Sequence, residues 1–284
     1  MTTTMIPETF TADVDFTSTV LTPPAGRAGV VATATTFAGR TLRQFARTPQ
    51  LLVVGALTSI MFLLIFRYVF GGAIGTGDIA YVDFLIPGLA AAGALFSGTG
   101  GAVGVAEDID SGLFDRLRSL PIPRSAVLLG RSLADTVLVG WGLLVTLVVG
   151  ALTGFRFHGS LMEAAAAFGL CLIYGFAFSW PFIYMGLTAG SAQAAQGMSF
   201  LAFPFVFVSS AYVPVESMPS WLQPVAEHQP ITPMVGSVRA LFLGDDAQAA
   251  LGHSAGWFAV RALLWSVVIV AIFVPLCTCR FARS

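Results

Sequence analysis

The sequence predicts an all-α polytopic membrane protein with six transmembrane helices, and three observations carry that prediction. Of its 284 residues, 56% are hydrophobic and only 10% are charged, against roughly a quarter charged in soluble domains. The apolar residues fall into runs of the length that crosses hydrocarbon, about 20 residues for about 30 Å. The basic residues are all arginine, and nine of the fourteen lie to one side of those runs.

The opening residues 1–27 are rich in Thr, Pro and small side chains, with Glu8, Asp13 and Asp15 and no basic cluster ahead of an apolar core. They read as a disordered cytoplasmic tail rather than a cleavable signal, leaving 28–284 as the transmembrane domain. From Ala28 to Arg47 the spacing predicts an amphipathic helix lying in the headgroup plane. Arg40, Arg43 and Arg47 share one face, while Val31, Ala34, Phe37, Leu42 and Phe45 cluster broadly opposite. Thr48-Pro49 ends it. An anchor and a partner-contacting element are both open readings of this helix.

The six spans run approximately Leu51–Phe70, Asp83–Ala106, Ala126–Leu152, Glu163–Leu187, Met198–Val213 and Trp257–Cys279. The fifth is the shortest and carries Pro204, so a kink or a broken helix is expected there. Arg27, Arg40, Arg43, Arg47, Arg116, Arg118, Arg124, Arg280 and Arg283 all flank one end of the spans. The positive-inside rule then puts both termini in the cytoplasm, in agreement with the parity of six. Arg67, Asp83, Arg131, Asp135 and Arg261 fall near span ends, where long side chains snorkel to the interface. Arg131 and Asp135, one turn apart, are expected to pair. The small residues from Gly88 to Gly104 permit close helix approach, within one subunit or between two.

Between spans two and three, Ile109, Leu113 and Leu117 recur at helical spacing. Glu107, Asp108 and Asp110 occupy the first turn, Arg116 and Arg118 the last, and Pro121 and Pro123 stop the run, as the helix macrodipole favours. A short cytoplasmic helix from Glu107 to Leu120 with Leu113 and Phe114 as apolar knobs suits a contact to a soluble protein. A solvated turn is the other reading. The three acids lack the glycine and terminal glutamate of a calcium loop. On the outer side, Pro214–Gly256 holds five of the fifteen prolines. Thr232 is a candidate N-cap with Pro233 at the first helical position, and Gly244 a stop. Trp221 and Trp257 suit the interfacial belt. Short helices dipping back into the outer leaflet are expected, packed on protein because free backbone cannot face lipid.

These segments together resemble the membrane subunits of ABC-2-type ATP-binding-cassette exporters, and most closely the daunorubicin-resistance (DrrB-type) permeases of actinobacteria. The resemblance covers about residue 28 to the end. It is carried by Glu107 with Gly112-Leu113-Phe114-Asp115-Arg116-Leu117-Arg118-Ser119-Leu120-Pro121, by Pro219-Ser220-Trp221-Leu222 and Gln229-Pro230-Ile231-Thr232-Pro233, and by Arg239-Ala240-Leu241-Phe242-Leu243-Gly244. It implies that Glu107–Leu120 is a coupling helix docking on an ATPase through Glu107, Asp110, Leu113, Phe114, Arg116, Leu117 and Arg118. It implies that Ala28–Arg47 is the connecting helix, with Phe37, Arg40, Arg43 and Arg47. Trp221, Pro230, Thr232, Pro233 and Arg239 would belong to a re-entrant gate on the extracellular side.

The function so implied is that of the permease subunit of an exporter of hydrophobic or amphipathic substrates, drugs or lipids, in the plasma membrane. A pair of ATPase subunits would carry the ATP and magnesium, and a second permease copy or a sibling permease would complete the pore. Membrane lipids are further partners; nucleic acid is not expected. The composition agrees on one point independently: without a lysine the chain cannot complete a GxxxxGK[ST] phosphate loop. His158, His228 and His253 lack HExxH spacing and no GxSxG occurs, so no catalytic constellation is legible. Cys171, Cys277 and Cys279 read as small hydrophobes. An ATP-independent secondary transporter or channel is the alternative function; it should show paired interrupted helices in its two halves.

Overall fold

A computed structural model describes residues 29–76, 79–114, 123–244 and 251–283. The predicted tail 1–27 and Arg116, Leu117 and Arg118 lie outside the described residues. Every element in the described residues is helical. Helix α1 spans Val30–Arg47 and is followed by α2, Pro49–Leu64, which continues as a π-helical stretch over Ile65–Phe70. Proline opens α2 because the first turn of a helix has no use for its missing N–H. Helices α3 (Tyr81–Phe96) and α4 (Gly98–Asp110) run almost end to end as one apolar unit.

The long helices α5 (Arg124–Leu152) and α6 (Leu161–Thr188) follow. Ser160 caps α6 reciprocally with Glu163, its hydroxyl accepting from the Glu163 N–H while the Glu163 carboxylate accepts from the Ser160 N–H. Next come α7 (Ala192–Ser199) and α8 (Ala202–Phe207), a 3-10 turn at Val215–Ser217, α9 (Gln223–His228), α10 (Ile231–Leu243) and α11 (Ala255–Arg283).

Among the described residues five helical units have the length and apolarity to cross a membrane: Leu52–Phe70, Tyr81–Asp110, Ser125–Leu152, Leu161–Thr188 and Ala255–Phe281. The stretch predicted as the fifth of six spans is instead two short helices, α7 and α8, separated at Phe200 and Leu201. Pro204 lies three residues into α8. Its ring crowds the carbonyl four residues earlier, at Phe200, and favours the break there, although α3, α6 and α11 continue through Pro87, Pro181 and Pro275.

The α3–α4 unit is the most enclosed of the five and forms the axis of the molecule. Helices α5 and α6 pack along it, α11 packs on α6, and α10 inserts among α3, α6 and α11. Helix α2 lies at the periphery with Val53, Val54, Leu57 and Met61 exposed. Two clusters of buried side chains result. The larger one joins α3, α5, α6 and α10, and the smaller one gathers Val105, Phe114, Leu128, Trp180, Ile183, Cys277 and Phe281 at one end.

That end therefore holds α1, the close of α4, the start of α5 and the C-terminal turn of α11. The opposite end is tied by loop contacts. The Arg156 backbone N–H donates to Asp83 Oδ1 at 3.3 Å, the His158 N–H to the Phe242 carbonyl at 3.1 Å, and the Tyr81 hydroxyl to the Tyr212 carbonyl at 3.3 Å. Because Leu187 belongs to the first end and Tyr212 to the second, α7 and α8 carry the chain from one to the other.

Glycine sets how closely the axis is packed. A Cβ on Gly88 would collide with the carbonyl oxygen of Ala211, so the turn after α8 rests directly on the α3 backbone. Gly88→Ala should lower stability by about 1–3 kcal/mol through overpacking, whereas Gly93→Ala, with open space at its Cβ, should not. Thermal melting of both variants in detergent checks this: the first should melt several degrees lower and the second with wild type.

Candidate functional site

At the end that holds α1, the decisive residue is Gly130 of α5. A Cβ there would stand 2.6 Å from the Ala34 carbonyl oxygen and 2.7 Å from Phe37 Cβ, so only glycine lets α1 lie this close to α5. Thr33, Ala34 and Thr41 are buried on that face, with Phe37 half-buried beside them. Val31, expected on the same apolar face, is 76% exposed. The packing face is shifted by the close contact at Gly130, which selects small side chains rather than large ones. Arg40, Arg43 and Arg47 are exposed, and Arg40 Nη2 reaches Asp108 Oδ1 at 3.1 Å. An exposed pair of this kind contributes about 0–1 kcal/mol; its consequence is a direct link from α1 to the end of α4.

The acids predicted to open a new helix instead close an old one. Glu107, Asp108 and Asp110 form the last turn of α4, which ends where the Ser111 N–H bonds the Glu107 carbonyl and Gly112 adopts a φ of 68°. A left-handed glycine at this position is a helix stop. Acids at a helix C-terminus oppose the macrodipole, and Arg40 offsets part of that cost. Leu113 and Phe114 are helical again. Phe114, expected to project as a knob, points inward: it is 5% exposed, with its ring edge-on to Phe281 at 4.7 Å. The apolar cluster at the close of α11 gives the ring a dry site that solvent cannot match, and burial of such a side chain stabilises by roughly 1.5–3 kcal/mol. Leu113 is only half-buried and lines a narrow crevice with Phe37, Arg40, Asp108 and Arg131.

Deeper along α5, Arg131 Nε meets Asp135 Oδ1 at 3.3 Å, the expected one-turn pair. The expectation that both snorkel from a span end fails for Asp135, which is 1% exposed. Glycines make this burial possible: a Cβ on Gly101 would fall on the Asp135 carboxylate, and one on Gly104 on the Arg131 guanidinium. Arg131 Nη2 also donates to the Gly100 carbonyl at 2.6 Å, binding α5 to α4. Neither the partner carbonyl nor the glycine slot could be read from the spacing of Arg131 and Asp135, although the Gly100-Gly101-Gly104 run was a signal of close approach.

At the other end, α10 is buried along nearly its whole length. It starts at Ile231, capped by Pro230, two residues earlier than the predicted N-cap Thr232. Pro233 is accommodated because the first-turn amides need no helical partner, and the Thr232 hydroxyl is used elsewhere, accepting from the Ser210 N–H at 3.3 Å. Gly244, with a φ of 72°, stops the helix as expected. Arg239, 1% exposed, donates from Nε and Nη2 to the Phe84 carbonyl at 3.1 and 2.9 Å and from Nη2 to the Ser210 carbonyl at 2.9 Å. Its guanidinium also lies 3.5 Å over the Phe84 ring. Pro230, Thr232, Pro233 and Arg239 thus converge on the start of α3, while Trp221 stands apart, exposed ahead of α9. His228 bonds the Pro224 carbonyl through Nδ1 at 2.9 Å, a structural role. Among the described residues no group of three or more His, Cys, Asp or Glu is placed to hold a metal.

The arrangement is one of helix ends joined by ion pairs and side-chain-to-carbonyl links. Its sequence matches the family described as ABC-2 type transporter over residues 34–243, most of the chain and both ends of the bundle. The chain belongs to the ABC-2 type transporter family. This ABC-2 permease is 31% identical over 260 residues to the daunorubicin resistance ABC transporter permease protein DrrB1 of Streptomyces coeruleorubidus, covering 91% of this chain and 88% of that one. It is 26% identical over 241 residues to a probable doxorubicin resistance ABC transporter permease protein, DrrC, of Mycobacterium tuberculosis, covering 84% of each. As the permease of an ABC transporter it is a multi-pass membrane subunit that works with a separate ATPase and does not itself hydrolyse ATP.

Because Phe114 is a packed residue of this permease, Phe114→Ala should cost about 3–5 kcal/mol and lower the melting temperature of the purified protein, while Leu113→Ala should leave it near wild type.

Proposed function

We propose that this permease is the membrane half of an ATP-driven exporter of hydrophobic or amphipathic compounds, drugs or lipids, acting in the plasma membrane as a dimer with itself or a sibling permease. The family match over 34–243 carries this reading, and the names of its DrrB1 and DrrC relatives motivate the cargo class.

The chain crosses the membrane six times in this proposal, α7 and α8 forming a broken fifth crossing, with both termini in the cytoplasm. What supports it is the grouping of α1, the close of α4 and the close of α11 at one end, where the arginines cluster. A paired ATPase holding ATP and magnesium would dock there, on Leu113, the acids Glu107 and Asp110, and Arg116, Leu117 and Arg118. Arg43 and Arg47 on α1 face outward for the same partner or for anionic lipid. The Arg40–Asp108 pair then joins the connecting helix to the coupling segment, so that a pull on either moves α4. At the outer end, α9 and α10 with Trp221, Pro230, Thr232, Pro233 and Arg239 form the gate. The exposed apolar face of α2 suits lipid or the second permease copy.

Three measurements test this. In inverted vesicles containing the partner ATPase, Arg40→Ala and Asp108→Ala should each reduce ATP-dependent cargo uptake several-fold at unchanged insertion, the double variant being no worse than either single one. Export persisting in cells lacking every candidate ATPase would refute the assignment. In a background with Cys171, Cys277 and Cys279 replaced by Ser, Trp221→Cys should react with an impermeant thiol reagent in intact cells and Arg43→Cys only after lysis.

A further inference from the structure

A cavity of about 310 Å³ opens between the 3-10 turn, α9, α10 and the first turns of α11. That is the lower end of the range for small-molecule sites, roughly 300–1,000 Å³. Its charged groups are two arginines and two glutamates, and the charge of Glu216 is felt by Arg239. Arg239 lies at the floor, using Nε and Nη2 on backbone carbonyls and touching no carboxylate among the described residues. Arg261, half-buried, stands 4.5 Å over the Trp257 ring, against which His253 stacks at 3.9 Å. The carboxylates Glu216 and Glu227 lie on the exposed rim.

Beyond the cavity the same face of α11 turns apolar. Trp257, Arg261, Leu264 and Val268 follow one another at i, i+4, i+7 and i+11 and so share a side of α11. Leu264 and Val268 are exposed, although they sit in a helix long and apolar enough to span the membrane. A charged chamber therefore adjoins an apolar strip left exposed by the described residues.

We propose that this is a binding site for a phosphatidylethanolamine of the outer leaflet. Arg261 takes the phosphate, which a guanidinium binds with charge-assisted hydrogen bonds, and the buried Arg239, its Nε and Nη2 already on carbonyls, adds positive charge from the floor. The ammonium points outward to Glu216 and Glu227, and the acyl chains lie along Leu264 and Val268. An anionic headgroup leaves the two acids unanswered, and a choline has no N–H to donate to them. Trp257 at the junction suits the interfacial level. The lipid so held would bear on the contact that Phe258 makes with Gly236 between α11 and α10, and would bias the proposed gate. The assignment of the leaflet rests on the proposed topology; lipid selectivity does not.

Native mass spectrometry of the full-length permease, purified in detergent and offered equal amounts of dioleoyl phosphatidylethanolamine, phosphatidylcholine and phosphatidylglycerol, tests it. Phosphatidylethanolamine should be retained several-fold over the other two. Arg261→Gln should lower retention of all three several-fold, and Glu216→Gln with Glu227→Gln, on the exposed rim and harmless to folding, should reduce phosphatidylethanolamine to the level of phosphatidylcholine. Equal retention of the three lipids, a preference for phosphatidylglycerol, or indifference to the rim variants would overturn the proposal. So would displacement of the lipid by daunorubicin with the same dependence on Glu227, which would give the cavity to cargo. No ATPase is present, so loss of selectivity is separable from failure of the transport reading, and the accessibility of Trp221→Cys reports the topology independently.

Discussion

The second membrane unit, α3 with α4, is held near its start and just past the α3–α4 junction by arginines from two other helices. Arg131 of α5 bonds the Gly100 carbonyl and Arg239 of α10 bonds the Phe84 carbonyl. Both are costly groups to bury, and both are tolerable because each finds oxygen acceptors in the place where water would otherwise be needed. In a chain with so few charges, these clamps fix how α3–α4 sits against the rest of the bundle. Apolar packing alone would not do so, since lipid competes for apolar faces on nearly equal terms.

The two clamps differ in a way that suits an element moved from one end. Arg131 is answered by Asp135 on its own helix and lies beside the crevice lined by Arg40, Asp108 and Leu113. Displacement of the 107–114 segment therefore bears on charged groups that also hold α5. Arg239 is hydrogen-bonded to carbonyls, lies over an aromatic face and is enclosed by α3 and the turn after α8. It ties three elements of the outer end into one block. In the function proposed above, a motion delivered at the end holding α1 would reach that block through the α3–α4 axis.

Much of the fold is legible in the residues. Hydropathy locates the five long units within a few residues, because hydrocarbon thickness sets their length. Pro204 announces the break of the short one, and Gly244 and Gly112 mark stops that only glycine makes easily. The site is legible in outline and misread in detail. Glu107–Asp110 looked like a first turn because acids favour helix N-termini; they close α4 because nothing before Gly112 interrupts the helix. Phe114 looked like an outward knob by spacing, yet Phe281, nearly 170 positions away, supplies its buried partner, and no local pattern reports such a pairing. The Ser160-Leu161-Met162-Glu163 capping box, by contrast, is a local signal that places the start of α6 two residues earlier than hydropathy does.

Composition, span length and the placement of arginine determined by themselves that this is a helical membrane protein with a basic end and a proline-rich end, because those properties answer to the bilayer and not to any particular neighbour. Which side chains point inward, which glycines receive a charged group, and which carbonyls satisfy Arg131 and Arg239 were decided only by the tertiary structure. The reason is physical: inside hydrocarbon a polar atom is stable wherever a partner exists, and the partners here come from helices far apart in the chain.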